Sequence, residues 1–368
     1  MNGTERKTEA DEVKRRIAFL LTMAWLLAGC LSGALADQII TVTFTGDVTL
    51  GSEETKKNMA GSFNSYVEQK GYDYFFQNYA PMFSRDDLTI VNLEGVLSDS
   101  NRQENTGKTY RFRGPTNYAK ILNAAGIDAC AISNNHTMDF GKQGYTATVK
   151  ALEDHGVHYF GNDYYYIFEK NGVKIAFFAL VSPKVQGSRD WGERVSKRLR
   201  EEEGVDAVVM CLHVGTEYDA HRNKTQVNYA AFARKFFTAD LVIMHHPHVL
   251  QGIDILDESC YVCYSLGNFC FGGNMKIRAL ETMVVQADLV FTDEGKYKGQ
   301  QLRLYPAHIS TAAQAVGDDN DFLPTPVTGD EALAVMQLVQ NDTAFDLPPY
   351  DEETGCVALR YLPAAAAE

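Results

Sequence analysis

LVIMHHPH, residues 241–248, decides the reading of this chain. Leu241–Met244 is wholly apolar and too short for a helix, which suits a strand buried on both faces, and it ends abruptly in His245, His246, Pro247 and His248. Working outward, the same pattern recurs. VVMCLH ends in His213, ACAISNNH in Asn134, Asn135 and His136, VNLEG carries Glu94, and TVTFTGD ends in Asp47. In parallel sheets, ligands bind at the carboxyl ends of the strands, where loops converge and helix N-termini face them. Five strand ends bearing ligand-type side chains therefore predict a single site.

The segments between alternate strand-like with helical patterns, the signature of a layered α/β fold. Strands are expected over Ile39–Thr45, Leu88–Asn92, Ala129–Ser133, Val173–Val181, Val205–Leu212, Leu241–Met244 and Tyr261–Tyr264. Helices are expected over Glu53–Gln69, Thr116–Ala125, Lys142–His155, Arg189–Glu203 and Thr225–Thr238. Glu281–Phe291 and Lys298–Ala307 alternate with period two around a Thr-Asp-Glu-Gly turn and read as a β-hairpin. Two sheets packed face to face between helical layers accommodate all of this in one large domain over residues 37–310. Residues 311–368, acidic and Pro-containing, follow as a C-terminal extension.

Composition narrows the function classes. With 368 residues, 45% hydrophobic and 22% charged, the body is that of an ordinary globular protein with a sizeable core. A net charge of -14 argues against a nucleic-acid partner, since phosphate backbones are bound through clustered Lys and Arg. The dense basic run Arg194–Arg200 meets Glu201, Glu202 and Glu203 at once and reads as a solvated helix face. Lys14, Arg15 and Arg16 precede an apolar stretch from Ile17 to Ala36, so residues 1–36 read as a signal peptide or membrane anchor, and the chain as extracytoplasmic. Cleavage after Ala34-Leu35-Ala36, lipidation at Cys30 and retention as an anchor all fit. The six later cysteines are too few for a disulfide scaffold, and Cys260 and Cys263 lie in a strand-like run rather than at a helix start, so they read as structural thiols.

Each polar residue taken alone has an ordinary explanation: Gly46-Asp47 as a turn or cap, a lone histidine as a satisfied polar group. Together they do not. Asp47, Glu94, Asn135, His213, His246 and His248 gathered at one rim would leave an unpaired buried charge cluster unless a cation sat among them. Carboxylate, imidazole and amide without thiolate suits two divalent ions, Mn²⁺, Zn²⁺ or Fe, rather than an all-oxygen Ca²⁺ cage. Glu94 could bridge ions held ~3.5–4 Å apart with a water or hydroxide between them as nucleophile. A glycosidase reading, with Asp47 and Glu94 as acid and base, would leave the histidines without a role.

GDVTLG (46–51), VNLEG (91–95), NNHTMDFG (134–141), HVGTEY (213–218), HHPHVLQGID (245–254) and YSLGNF (264–269), in this order, resemble the poly-γ-glutamate capsule biosynthesis protein CapA family. That family looks like a branch of the calcineurin-like metallophosphoesterases, which implies a four-layer α-β-β-α sandwich. The resemblance implies that Asp47, Glu94 and His248 serve one metal and Glu94, Asn135, His213 and His246 the other. It places His136 beside the leaving group as proton donor. Glu217, Tyr218 and Asn268 match motif positions near the rim, for substrate or for orienting ligands, and Arg113, in YRFRGP, could clamp an anionic group. The implied substrate is an anionic polymer or phosphoester, with other capsule synthesis proteins at the membrane as partners. Two functions follow: a binuclear metal-dependent hydrolase, or a non-catalytic component that binds or exports the polymer.

The chain departs from the pattern in places. Metallophosphoesterases usually begin Asp-x-His, whereas Thr49 stands where the histidine would be, and the first metal loses a ligand. Met244 and Val214 replace the Gly and Trp common at those positions and reshape the pocket wall. His155, His158, His221 and His308 lie outside the motifs and are expected at the surface or in packing.

Overall fold

A computed structural model describes residues 37–365. The expected signal or anchor over residues 1–36 lies outside the described residues. Among the described residues no helix is long and apolar enough to cross a membrane.

Two sheets carry the core. In the first, Gln38–Thr49, Leu88–Leu93, Ala129–Ala131 and His158–Phe160 run parallel, and the hairpin Glu281–Phe291 with Tyr297–His308 extends the sheet beyond Gln38–Thr49. In the second, Val173–Val181, Ala207–His213, Leu241–His245 and Cys260–Cys263 run parallel, with Tyr166–Lys170 and Ile253–Leu256 antiparallel at the two edges. Alternate residues of each strand face opposite ways, and both faces are dry. Ile175, Phe177, Val209 and Ile243 meet Val42, Phe44, Ile90 and Val285 in the core between the sheets. Ala176, Phe178, Val208 and Met210 face outward, under the helices Arg189–Glu201 and Lys224–Phe237. On the far side, Val91, Cys130 and Phe269 pack beneath Phe63–Lys70, Ala119–Ala125 and Gly141–Asp154. This two-faced burial explains the unbroken apolar runs in the sequence. The layering is α-β-β-α, as the resemblance implied.

Local chemistry sets most boundaries. Asn223 and Gln226 form a reciprocal capping box that starts Lys224–Phe237. The expected helix Glu53–Gln69 is largely absent. Ser52–Glu53 instead pairs as a short strand with Phe112 and Arg113, and the helix begins only at Phe63. Gly61 at φ 79° breaks the chain there, and the Ser62 side chain caps the new start by accepting from the Ser65 N–H at 3.2 Å. Residues after 310 join the same body. The helix Gly329–Asn341 puts Ala332, Val335 and Val339 into the core between the sheets, and Val357–Ala358 and Leu362–Pro363 pair with Tyr297–His308.

All six described cysteines are buried and free. Cys260 packs on the outer face of its sheet and Cys263 on the inner face, so they do not meet, and burial pushes the Cys263 thiol up to about 12.

Candidate metal centre

The parallel strands of both sheets end at one rim. Asp47 lies near the end of Gln38–Thr49, in register with Asn92 on one side and Asn268 on the other. Gly46 makes this crossing possible: a Cβ there would lie 2.4 Å from the Gly267 carbonyl oxygen, and the adjacent Asp47 N–H donates to that oxygen at 2.9 Å. Glu94 follows Leu88–Leu93, and Asn134–His136 follow Ala129–Ala131. From the second sheet come His213 and His245, paired in register at the ends of their strands, with His246 and His248 beyond. His246 and His248 adopt φ values of 104° and 60°, a left-handed backbone uncommon for non-glycine residues and typical of functional sites.

Glu94 sits at the bottom of the cradle, fully buried, and neither carboxylate oxygen has a hydrogen-bond partner. Around Oε1 stand the Nε2 atoms of His136 at 3.7 Å, His213 at 3.7 Å and His248 at 3.8 Å. These separations are too long for hydrogen bonds. Two ligand atoms on one first-row dication, each about 2.1 Å from it, stand roughly 3–4 Å apart, so the arrangement fits a metal. Three ligand groups converge here: Asp47 with Glu94 and His248, Glu94 with His213 and His246, and Glu217 with His246 and His248. Asn135, itself exposed, brings Oδ1 to 2.8 Å from His213 Nε2.

Electrostatics point the same way. Burial pushes the Glu94 carboxyl well above its usual range; His248 opposes this, and the Asp47, Glu217 and Asp139 charges add to it. Burial likewise resists charge on Asp47, but hydrogen bonds from His245 and His248 outweigh it and hold that carboxyl well below the usual range. On His248, burial is outweighed by Glu94 and Asp47, which lift the imidazole to about 10. Burial, with neighbouring imidazoles, keeps His213 and His246 low, neutral and able to act as ligands. Asp47 and Glu94 thus favour positive charge beside them, on His248.

Several supporting residues escaped the sequence reading. Asn92 Nδ2 donates to Asp47 Oδ1 at 2.8 Å and lies 3.4 Å from His213 Nδ1. His245 Nδ1 stands 3.2 Å from Asp47 Oδ1. Asp139 Oδ2 is 2.7 Å from His136 Nδ1 and accepts from the Phe112 N–H at 2.9 Å, while Lys108 pairs with its other oxygen. Asp139 lies within the NNHTMDFG motif, three residues after His136, where a helical-type turn brings carboxylate and imidazole together; that spacing was the available signal. Of the residues the sequence did place near the rim, Asn268 brings Oδ1 to 3.0 Å from His248 Nδ1, and the Tyr218 ring lies 5.9 Å from the His248 ring.

Arg113 is not placed as an anion clamp. It is buried, binds Glu54 through Nε at 3.0 Å and Nη2 at 2.8 Å, and donates to the Ser98 carbonyl at 2.7 Å, so its fork is occupied inside the protein. Thr49 donates to the Glu94 carbonyl at 2.7 Å and offers the cradle no ligand. His158 stacks on Tyr166, and His221 lies near Asp342.

The family model for bacterial capsule synthesis protein PGA_cap matches residues 41–273, which contain every residue of the cradle. The chain belongs to this family. Capsule biosynthesis protein CapA of Bacillus anthracis is 28% identical over 258 residues, 63% of this chain and 60% of that protein, so less than two thirds of that relative's length is spanned. PGA biosynthesis protein CapA of Bacillus subtilis (strain 168) is 26% identical over 314 residues, 79% of this chain and 80% of that one. Among solved structures, calcineurin-like phosphoesterase YfkN of Bacillus subtilis aligns with a TM-score of 0.43 and 16% identity over 83% of this chain and 98% of that one. NAD nucleotidase (NadN) of Haemophilus influenzae aligns with a TM-score of 0.42 and 12% identity, covering 84% and 64%.

Proposed function

We propose that this family member is an exported metal-dependent hydrolase that acts on a phosphoester or a related bond in anionic capsule material. The observation that carries the reading is Glu94, a buried carboxylate with two unpartnered oxygens facing three imidazole nitrogens. Asp47, Glu94 and His248 would hold one divalent ion and Glu94, Asn135, His213 and His246 a second, with Mn²⁺, Zn²⁺ or Fe suited to these donors. Such ions, when bound, supply Lewis acidity and lower the pKa of water. The chain's own residues do the rest. Asn268 and Asp47 engage His248 Nδ1 and leave its Nε2 facing the cradle. Asp139 accepts from His136 Nδ1–H at 2.7 Å and would stabilise a transient imidazolium; in that charged form, which burial opposes, His136 would hand its Nε2 proton to a departing oxygen. The relatives' capsule and PGA biosynthesis roles support an anionic envelope polymer as the setting, and Lys14–Arg16 followed by Ile17–Ala36 supports export.

One observation favours a second reading, a polymer-binding or export component without turnover. Thr49 is turned to a backbone carbonyl, so the Asp47 side has one ligand fewer than the phosphoesterase pattern. Turnover of a generic phosphodiester and phosphomonoester by the metal-loaded full-length protein separates the two. Under the hydrolase reading His136→Ala keeps its metals and loses turnover; metal binding with no turnover in the wild type would establish the second reading instead.

A further inference from the structure

Three loops meet at the rim, each anchored differently. Tyr110 lies two residues before Phe112, whose N–H donates to Asp139. Tyr218, at φ 61°, donates its N–H to the carbonyl of Pro247, between His246 and His248, at 2.8 Å. Arg278 follows the strand Asn268–Phe271 on a loop pinned by Ile277 and Leu280, which pack against Ile309 and Ala313. Its guanidinium lies between the two tyrosines, with Cζ 5.5 Å from the Tyr110 ring centre and 5.6 Å from that of Tyr218. Nη2 donates to Tyr110 Oη at 3.2 Å and Nη1 approaches Tyr218 Oη at 3.5 Å. The Tyr218 ring in turn faces His248, so Arg278 stands one aromatic ring from the cradle.

Unlike the cations of the Tyr110 loop, Arg278 has no acidic partner. Lys108 is paired with Asp139, Arg111 with Glu104 and Arg113 with Glu54, whereas Arg278 is exposed and pairs with no carboxylate among the described residues. The chain is acidic overall, at net charge -14, and its cradle is built on carboxylates. Beyond the ions the cradle would hold, an anionic substrate would therefore be repelled except where a free cation reverses the field.

We propose that Arg278, held by Tyr110 and Tyr218, is the recognition point for an oxyanion of the substrate, a carboxylate or phosphate group lying next to the bond presented to the cradle. The inference rests on the hydrolase reading for its geometry. Two tyrosine rings fix the plane of the guanidinium, so little freedom is lost on binding, and the N–H groups not used by the tyrosines can form the bidentate fork that planar oxyanions accept. The interaction is present before and during bond breaking, so it should act on KM more than on kcat.

Binding and metal content measured together test the proposal. Full-length wild type, Arg278→Ala, Arg278→Lys and Tyr110→Phe/Tyr218→Phe are assayed in Mn²⁺ at low salt. The probes are a fluorescently labelled short γ-glutamate oligomer, read by anisotropy, and unlabelled tripolyphosphate, read by calorimetry. Arg278→Ala is expected to keep wild-type metal content and to weaken binding about tenfold or more, the loss typical of a charge-assisted hydrogen-bonded pair. Arg278→Lys should fall between, because it keeps the charge without the fork. Loss confined to the γ-glutamate probe identifies a carboxylate site, and loss confined to tripolyphosphate a phosphate site; either supports the proposal. Arg278→Ala binding both probes as tightly as wild type, or a metal-loaded wild type binding neither, overturns it. A wild type that binds no metal sinks the hydrolase reading separately, whatever Arg278→Ala does.

Discussion

Glu94→Gln is expected to stabilise the metal-stripped protein while abolishing the stabilisation that metal gives the wild type. Glu94 is fully buried, its two oxygens meet no donor, and burial together with the Asp47, Glu217 and Asp139 charges drives its carboxyl up against the opposing pull of His248. A buried polar group left without a partner costs about 1–3 kcal/mol. Glutamine keeps the shape and removes the charge that burial and the neighbouring carboxylates oppose, so most of that cost should be recovered. At about 2 °C per kcal/mol for a large domain, the variant should melt roughly 2–6 °C above wild type in EDTA. With Mn²⁺ at about a hundredfold over Kd, each filled site adds about 2.7 kcal/mol to the wild type. Because Glu94 is shared by both proposed sites, the variant should gain little and the order of stability should invert. Thermal melts of both proteins in EDTA and in Mn²⁺ read this directly. A variant less stable than wild type in EDTA, or one with the full metal-induced shift, would refute the assignment of Glu94 as an unpartnered ligand.

Other expectations are narrower. Asp139→Asn should retain metal but lose about 10-fold to 100-fold in turnover, because the hold on His136 Nδ1 at 2.7 Å is weakened; metal analysis alongside steady-state rates checks this. Arg113→Ala should leave metal content intact and lower stability by roughly 2 kcal/mol in urea unfolding, since Glu54 loses its two-pronged partner and keeps only Lys57 at 2.6 Å. Asp86 is raised to about 6 by burial, with Asp128 and Asp87 adding to the shift and hydrogen bonds from Thr43 and Thr89 opposing it. The fold favours its neutral form, so wild-type stability should fall as pH rises from the ordinary carboxylate range near 3.8 through about 6. Asp86→Asn should therefore match wild type near pH 4 and exceed it by about 1 kcal/mol near pH 7, a figure reduced for the group's partial exposure; melts across that range would show equal stability throughout if the reasoning is wrong.

The strands were legible because they are buried on both faces. Val173–Val181 begins and ends where its apolar run does, and the hairpin Glu281–Phe291 with Tyr297–His308 follows its period-two alternation. The short antiparallel edges Tyr166–Lys170 and Ile253–Leu256 were not, because strands half-exposed at a sheet edge lack a continuous apolar signal. The Glu53–Gln69 region was misread because its helical spacing is overridden by pairing of Ser52–Glu53 with Phe112–Gly114 and by the break at Gly61. At the site, residues fixed to strand ends could be found from the pattern alone: Asp47, Glu94, His213, His246 and His248 each follow an apolar run. Residues brought in by loop packing could not. Arg278 sits in a stretch with no periodicity, and only the fold carries it between Tyr110 and Tyr218, whereas Arg113, which looked available for an anion, is claimed by Glu54 through a pairing 59 residues apart.

Metal stoichiometry of the full-length wild type, determined by elemental analysis after equilibration with Mn²⁺ or Zn²⁺ and removal of free ion, tests the central claim most directly. Close to two ions per chain are expected, with both lost in Glu94→Ala because the two ligand groups that include Asp47 and His213 share that carboxylate. Undetectable metal in the wild type, or unchanged metal in Glu94→Ala, would contradict it.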